Sequence, residues 1–292
     1  MMIPEPLREL LEDGVVQEVV RALKSGKEAS VFVVLVDGQY CAAKVYKAAE
    51  RRNFKNRADY VEGRRVGGSR EQRAMDRGTR FVKQQHEAAW QGHEASAMIT
   101  LRAAGVRVPN VRQRCDGVLL MDLVLDVDGE PAPQLATGRF PRAEALGCHQ
   151  EIMRAIVRML CAGIIHGDLS EHNILLDDKG PVIIDFPQAI DATRNGSARR
   201  LLLRDVGNIT RFFSRFAPEL RRTDYGQEMW LLYQSSVLKP DTPLTGRFQA
   251  ARHVVDTNVI MREIAAAKAE AARREEIKQL REAAKRPPGT QR

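Results

Sequence analysis

Three oxygen-bearing side chains stand where a plain apolar core would not place them. Asp168 and Asn173, five residues apart, lie between the apolar runs Ile164-Ile165 and Ile174-Leu175-Leu176, and Asp185 closes the run Val182-Ile183-Ile184. Two carboxylates and an amide at the ends of apolar segments are hard oxygen donors, the kind that suit a cation such as Mg²⁺. Far upstream, Lys44 lies near the end of an apolar strand pattern, and Glu94 falls on the apolar face of a helical one. A buried charge is expensive unless paired, so Lys44 and Glu94 are natural partners. A lysine to steady phosphates, ligands for a metal and an aspartate to orient an attacking hydroxyl together match phosphoryl transfer.

The elements that must hold these residues are legible in outline. Val31 to Tyr46 is two apolar runs around Asp37-Gly38, which reads as a β-hairpin carrying Lys44 on its second strand. Lys24 to Ser30 is a small-residue turn leading into it. From Phe81 to Ala104 the periodicity is helical, with Gly105 in the position after the helix where positive φ is usual, and Trp90, Glu94, Ala97, Met98 and Leu101 share one face. Two strands are expected over Val106–Val111 and Gly117–Leu125. A Pro/Gly-rich linker over Asp128–Pro141 follows, then helices over Arg142–Ala162 and Leu201–Phe216. The order implies an α+β fold of two lobes: a small β-rich N-lobe over 1–125 and a larger α-rich C-lobe over 126–246. A basic, solvated helical extension is expected over 247–292.

With 292 residues, 43% of them apolar, the chain can bury a full core, which excludes disordered and collagen-like classes. No run approaches the roughly 18 apolar residues of a spanning helix, and MMIPEPLREL lacks a basic n-region and an apolar h-region; a soluble, cytoplasmic protein is expected. Cys41, Cys115, Cys148 and Cys161 never form a CxxC pair and read as free thiols. The net charge of +8 is concentrated. Residues 47–80, read as a mobile loop, carry +6 and residues 247–292 carry +5, so the rest of the chain stands at −3. Those two segments make an anionic partner conceivable. His166 reads as a packing residue that supports the 166–173 loop. His86, His93, His149, His172 and His253 read as surface or loop residues, and Trp90 and Trp230 as core.

Several of these segments resemble one family in the right order. His166-Gly-Asp168-Leu-Ser170-Glu-His-Asn173-Ile-Leu, Ile184-Asp185-Phe-Pro-Gln188, Gly26-Lys27-Glu-Ala-Ser30-Val31 and Ala43-Lys44-Val-Tyr46-Lys47 resemble the RIO kinases, an atypical protein-kinase family. Phe54-Lys55, Tyr60 and Gly63 fit that family's flexible loop, and Leu203-Arg204-Asp205-Val206-Gly-Asn208-Ile209 its first large C-lobe helix. The resemblance runs from about Val16 to Phe216. It implies a two-lobed kinase-like fold without an extended activation segment, and a Ser/Thr protein kinase that uses ATP with Mg²⁺, or Mn²⁺ in its place. Asp168 would be the catalytic aspartate, with Asn173 and Asp185 as metal ligands. Lys44 would contact the α and β phosphates, paired with Glu94. Gly26, Lys27, Ser30 and Val31 would form the nucleotide loop, Met121 to Leu123 the adenine hinge, and Asp205 a brace for the catalytic loop. In this family the counterpart of Asp185 is also linked to a phospho-aspartate and ATPase cycling, so Asp185 joins Asp168 as a catalytic candidate.

The sequence departs from ordinary protein kinases in its single-glycine nucleotide loop, in Ser170 where lysine is usual, and in Phe186-Pro187 after Asp185 with no Ala-Pro-Glu beyond. These departures are shared with the RIO family and put the grip on an extended peptide in doubt, which leaves self-phosphorylation or ATP hydrolysis as the expected readouts. Two alternatives remain at this level. One is a small-molecule phosphotransferase of the aminoglycoside-kinase sort. The other is an assembly factor that contacts RNA or a ribosomal particle through the basic loop and tail and uses nucleotide as a switch.

Overall fold

The computed structural model describes residues 2–47, 80–115 and 117–248, with 80–91 described through their backbone alone. Helix α1 (Glu5–Glu12) precedes strands β1 (Glu18–Ser25), β2 (Ala29–Val36) and β3 (Gln39–Tyr46); helix α2 (Arg80–Ala103) is followed by β4 (Val111–Cys115) and β5 (Val118–Asp122). These five strands form one antiparallel sheet in the order β1-β2-β3-β5-β4. Asp37 and Gly38 both have positive φ, 49° and 72°, the two-residue turn whose twist matches that of the flanking strands.

Strand alternation gives the sheet two different faces. Phe32, Val34, Cys41, Ala43, Val45, Val118 and Leu120 pack with Leu7 and Leu10 of α1 and with Val16. Lys44, Tyr46, Leu119 and Met121 have the opposite parity, and Tyr46 and Leu119 join a second, larger core. That core continues through Ala97, Met98 and Leu101 of α2 into the rest of the chain.

The remaining elements are α3 (Arg142–Cys161), β6 (Ile164–Ile165), β7 (Ile174–Asp177), β8 (Gly180–Ile183), β9 (Ile190–Asp191), α4 (Ala198–Phe213) and α5 (Tyr225–Gln234), with 3-10 turns at Leu135–Thr137 and Pro218–Arg222. Helix α3 turns Ile152, Ile156, Met159 and Leu160 into the larger core, and α4 adds Leu201, Leu202, Ile209 and Phe213. This is the expected α+β arrangement, a sheet-based N-lobe and a helical C-lobe. The described residues fall within a single unit, Met1–Phe248.

Several local expectations are corrected. The strand expected over Val106–Val111 begins only at Val111. Pro109 has no N–H to give to a ladder, Val106 and Val108 bury themselves as irregular chain, and the more polar Val111–Cys115 takes the edge of the sheet instead. β1 escaped notice because it is a largely exposed edge strand with two register shifts and no apolar alternation. Helices α1 and α5 likewise carried no recognised pattern. The Pro/Gly stretch expected as a linker also packs: Leu135 is fully buried, the Ala136 N–H donates to Glu171 O and the Leu176 N–H to Pro133 O. His149, expected at the surface, is 2% exposed, because it lies on the inward face of α3 against Phe213 and Tyr225. His93, also read as a surface or loop residue, is half-buried and bonds through Nε2 to Ala189 O at 2.7 Å. Residues 48–79 of the loop expected over 47–80, residues 249–292 of the extension expected over 247–292, and the side chains of His86, Trp90 and His253 lie outside the described residues.

Candidate active site

Lys44 is presented by the centre of the sheet, where β3 pairs with β2 and β5, opposite Val31 and Leu119. Its Nζ lies 2.6 Å from Glu94 Oε1 and 2.6 Å from Asp185 Oδ1. Glu94 comes from α2, whose end is held by a capping pair, Val106 N–H to Leu101 O and Gly105 N–H to Arg102 O, with Gly105 at φ +76°. Lys44 and Glu94 are 7% and 1% exposed, so each ion relies on the other. Burial opposes the charge on Lys44, but Glu94 and Asp185 outweigh it and hold the ammonium above its ordinary range. The partner expected from sequence is therefore joined by a second.

Asp185 follows β8 with φ +72°, a conformation that costs energy in a non-glycine residue and is found where a side chain must be aimed. Crowding by protein pushes its carboxyl up, and Lys44 outweighs that, leaving it below the usual aspartate range. Its side chain keeps 44% exposure. The next residue anchors it: Phe186 is fully buried and its N–H donates to Glu94 Oε1 at 3.2 Å.

The loop between β6 and β7 carries Asp168 and Asn173. Gly167 at φ +81° turns the chain after His166, and Asp205 of α4 accepts the N–H groups of Gly167 and Leu169 at 2.8 and 3.2 Å. Arg204 donates to Gly167 O and Asn208 Nδ2 to Leu169 O, so one face of α4 holds the whole bend. Burial pushes Asp205 up to about 7 against the pull of those amides and Arg204. The resemblance implied this brace, and the residues carry a signal for it as well: Asp205 is a carboxylate inside the apolar stripe of Leu201, Leu202 and Ile209. His166 is 1% exposed, held neutral chiefly by burial, and set with Nε2 on Ile184 O at 3.1 Å and Nδ1 on the Asp168 N–H at 3.3 Å. That pairing implies a proton on Nε2.

Asp168 itself is exposed, with its carboxyl raised mainly by burial of its surroundings and opposed by Arg204 and His166. Asn173 Nδ2 donates to Asp168 O at 3.0 Å, which leaves the amide oxygen as the group available to a cation. An amide oxygen and a carboxylate are hard donors of the kind Mg²⁺ takes, with phosphate and water usually filling its other positions. Among the described residues no cluster of three His, Cys, Asp or Glu forms a metal centre by itself.

The nucleotide-loop candidates lie at the β1–β2 connection. The Gly26 N–H bonds Ala29 O at 2.8 Å, Ser30 Oγ sits 3.0 Å from Ser25 Oγ, and Lys47 Nζ reaches Gly26 O at 2.5 Å and Ser25 Oγ at 3.2 Å. Val31 shares the Lys44 face and Ser30 the opposite one, so the Ser30 hydroxyl serves the base of the loop. Lys27 is exposed at its tip. Met121 and Leu123 stand at the end of β5, where the Asp122 N–H bonds Asn110 O at 2.9 Å. Tyr46, two residues beyond Lys44 and without a legible role in the sequence, donates its hydroxyl to Glu94 Oε2 at 2.7 Å.

This geometry coincides with a family match. The model of the RIO domain fits residues 30–226, about two thirds of the chain. The chain belongs to the RIO family. It is 33% identical over 208 residues to the RIO-type serine/threonine-protein kinase Rio1 of Haloferax volcanii, covering 70% of this chain and 67% of that one. With Rio1 of Methanocaldococcus jannaschii it shares 35% over 202 residues, 68% and 63% of the two chains. With human serine/threonine-protein kinase RIO1 it shares 29% over 213 residues, 72% and 35%. The chain thus spans about two thirds of its archaeal relatives and a third of the human one. The crystal structure of a Rio2 kinase-ADP/Mg²⁺-phosphoaspartate complex from Chaetomium thermophilum superposes with a TM-score of 0.51 at 22% identity, covering 72% of this chain and 59% of that one, and supports the fold.

Proposed function

We propose that this RIO-family chain transfers the γ-phosphoryl group of Mg·ATP to Ser or Thr of a protein, itself included, or to water. The observation that carries the reading is the convergence of Lys44, Glu94 and Asp185 within hydrogen-bonding distance, beside a loop that exposes Asp168 and Asn173. Asn173 and Asp185 would hold the metal, which would supply positive charge against the phosphates. Lys44 binds phosphate oxygens while Glu94 keeps it oriented. Asp168, its carboxyl raised by burial, is a better proton acceptor than a free aspartate and orients the acceptor hydroxyl. Val31 and Met121, on the Lys44 face of the sheet, offer apolar surface to the adenine, with Leu123 beyond the strand end and the Gly26–Ser30 backbone over the phosphates.

The same proposal assigns residues 1–125 and 126–246 to the two lobes and 247–292 to an appended basic segment. The basic charge of 47–80 and 247–292 suits RNA or a ribosomal particle, and a cytoplasmic location accords with such a partner. Among the described residues no helix is long and apolar enough to cross a membrane.

The deciding experiment incubates the purified chain with γ-labelled ATP and Mg²⁺, then separates labelled protein from free phosphate. Label in Ser or Thr, or slow phosphate release, is expected, with little transfer to generic peptides. A small alcohol or aminoglycoside that accelerates ATP consumption by orders of magnitude, with no label entering protein, replaces this reading with small-molecule phosphotransfer. ATP hydrolysis without protein labelling, together with steeply salt-dependent RNA binding, favours the assembly-factor reading.

A further inference from the structure

Glu94 is bonded at both oxygens by donors from distinct parts of the chain. Oε1 accepts from Lys44 Nζ at 2.6 Å and from the Phe186 N–H at 3.2 Å, and Oε2 accepts from the Tyr46 hydroxyl at 2.7 Å. Tyr46 follows Lys44 by two residues on β3, so alternation sets both on one face, and the ammonium stands 5.6 Å from the centre of the phenol ring. Tyr46 is only 6% exposed, and a hydroxyl so buried is costly without a partner.

The arrangement around Lys44 gives that hydroxyl a task. The ammonium is shared between Glu94 and Asp185, and Asp185 is also the carboxylate assigned to the metal. Were Asp185 to hold a cation, Lys44 would keep Glu94 as its anchor, and the aim of Lys44 would depend on which way the Glu94 carboxylate faces. Two donors act on Oε1; Tyr46 supplies the hydrogen bond on Oε2. Remove it, and a buried carboxylate oxygen loses its partner while the carboxylate gains freedom to rotate.

We propose that Tyr46 is a positioning residue for phosphate binding: its hydroxyl fixes the Glu94 carboxylate so that Lys44 stays directed at the nucleotide phosphates after Asp185 engages the metal. This deepens the phosphoryl-transfer reading and rests on it. The variant Tyr46→Phe keeps the ring and removes the hydroxyl.

The test is calorimetric titration of the full chain with two ligands: adenosine, which has no phosphates, and Mg²⁺ with the non-hydrolysable analogue AMP-PNP. Tyr46→Phe is expected to weaken Mg·AMP-PNP roughly tenfold, the low end for one hydrogen bond to a buried charge, because Glu94 retains two other donors. Adenosine affinity is expected to stay within about twofold of wild type. In a Glu94→Gln background, adding Tyr46→Phe should change Mg·AMP-PNP affinity by less than about twofold, since the carboxylate it orients is gone. Equal losses for both ligands mean that Tyr46 merely supports the fold, and overturn the inference. Wild-type affinity for both ligands in Tyr46→Phe overturns it as well, while leaving the nucleotide reading intact. A wild-type chain that binds neither ligand removes that reading and the inference together.

Discussion

Lys44 and Asp185 share a hydrogen bond but differ in how much of their cost the fold carries. Lys44→Ala strands the almost fully buried Glu94, and breaking a buried ion pair costs about 3–5 kcal/mol. At roughly 2–4 °C per kcal/mol for a domain of this size, its thermal midpoint should fall by about 6–20 °C. Asp185→Ala removes a side chain that is 44% exposed and leaves Lys44 paired with Glu94, so its midpoint should fall much less. Both variants should weaken Mg·ATP binding, by roughly 10- to 150-fold for a lost contact of about 1.5–3 kcal/mol to a charged group. Asp168→Ala should behave differently, nearly abolishing turnover while ATP affinity stays within severalfold, because the role proposed for Asp168 is on the acceptor and not on the nucleotide. Calorimetry and differential scanning fluorimetry on the three proteins separate these patterns; loss of ATP binding in Asp168→Ala contradicts its assignment.

At the scale of elements, the hairpin that carries Lys44 was visible because Asp-Gly between two apolar runs states both the turn and the register. Gly38 has φ +72° and no atom within 4 Å of where a Cβ would lie, so Gly38→Ala meets strain and no clash. The expected cost is about 1 kcal/mol, a fall of roughly 2–4 °C in the midpoint, with nucleotide affinity unchanged. A fall beyond about 8 °C means the turn does more than reverse the chain. β1 was not visible for the opposite reason: Glu18–Ser25 is mostly exposed, and it becomes a strand because the free edge of β2 accepts its hydrogen bonds. The same logic moves the strand expected at Val106 to Val111, past a proline that cannot donate.

Across the whole molecule, buried histidines tie stability to pH. His149 is pulled down to about 4 by burial against Phe213 and Tyr225, with Nε2 3.1 Å from Thr210 Oγ1. Its folded value lies below the unfolded value near 6.5, so the unfolded chain binds more protons between the two. The stability it contributes is complete above about pH 6.5 and is lost as pH falls toward 4, by roughly 3 kcal/mol. His166, also lowered by burial, acts in the same direction. Asp205, raised by burial to about 7, acts in the opposite sense, so the His149 share is read as a difference: in denaturant unfolding at pH 7.5 and pH 5 the wild type should lose stability relative to His149→Gln, and an equal pH dependence in the two assigns the effect elsewhere. The exposed pair Arg21–Glu130, at 2.8 Å, joins β1 to the segment after β5, but with side chains 52% and 70% exposed it is worth no more than about 1 kcal/mol.

Residue type and spacing alone pointed to phosphoryl transfer, because Asp168, Asn173, Asp185 and Lys44 are polar groups that interrupt or end apolar runs. They also determined the pairing of Lys44 with Glu94, since two buried opposite charges leave little choice. Only the tertiary structure decided contacts between surfaces far apart in the chain: Asp185 on Lys44, and the Phe186 amide and Tyr46 hydroxyl on Glu94. Asp185 lies 141 residues from Lys44, and Phe186 lies 92 residues from Glu94. Local pattern carries periodicity and burial, whereas the direction in which a buried hydroxyl or amide points is set by the packing of β3, α2 and the turn after β8 against one another.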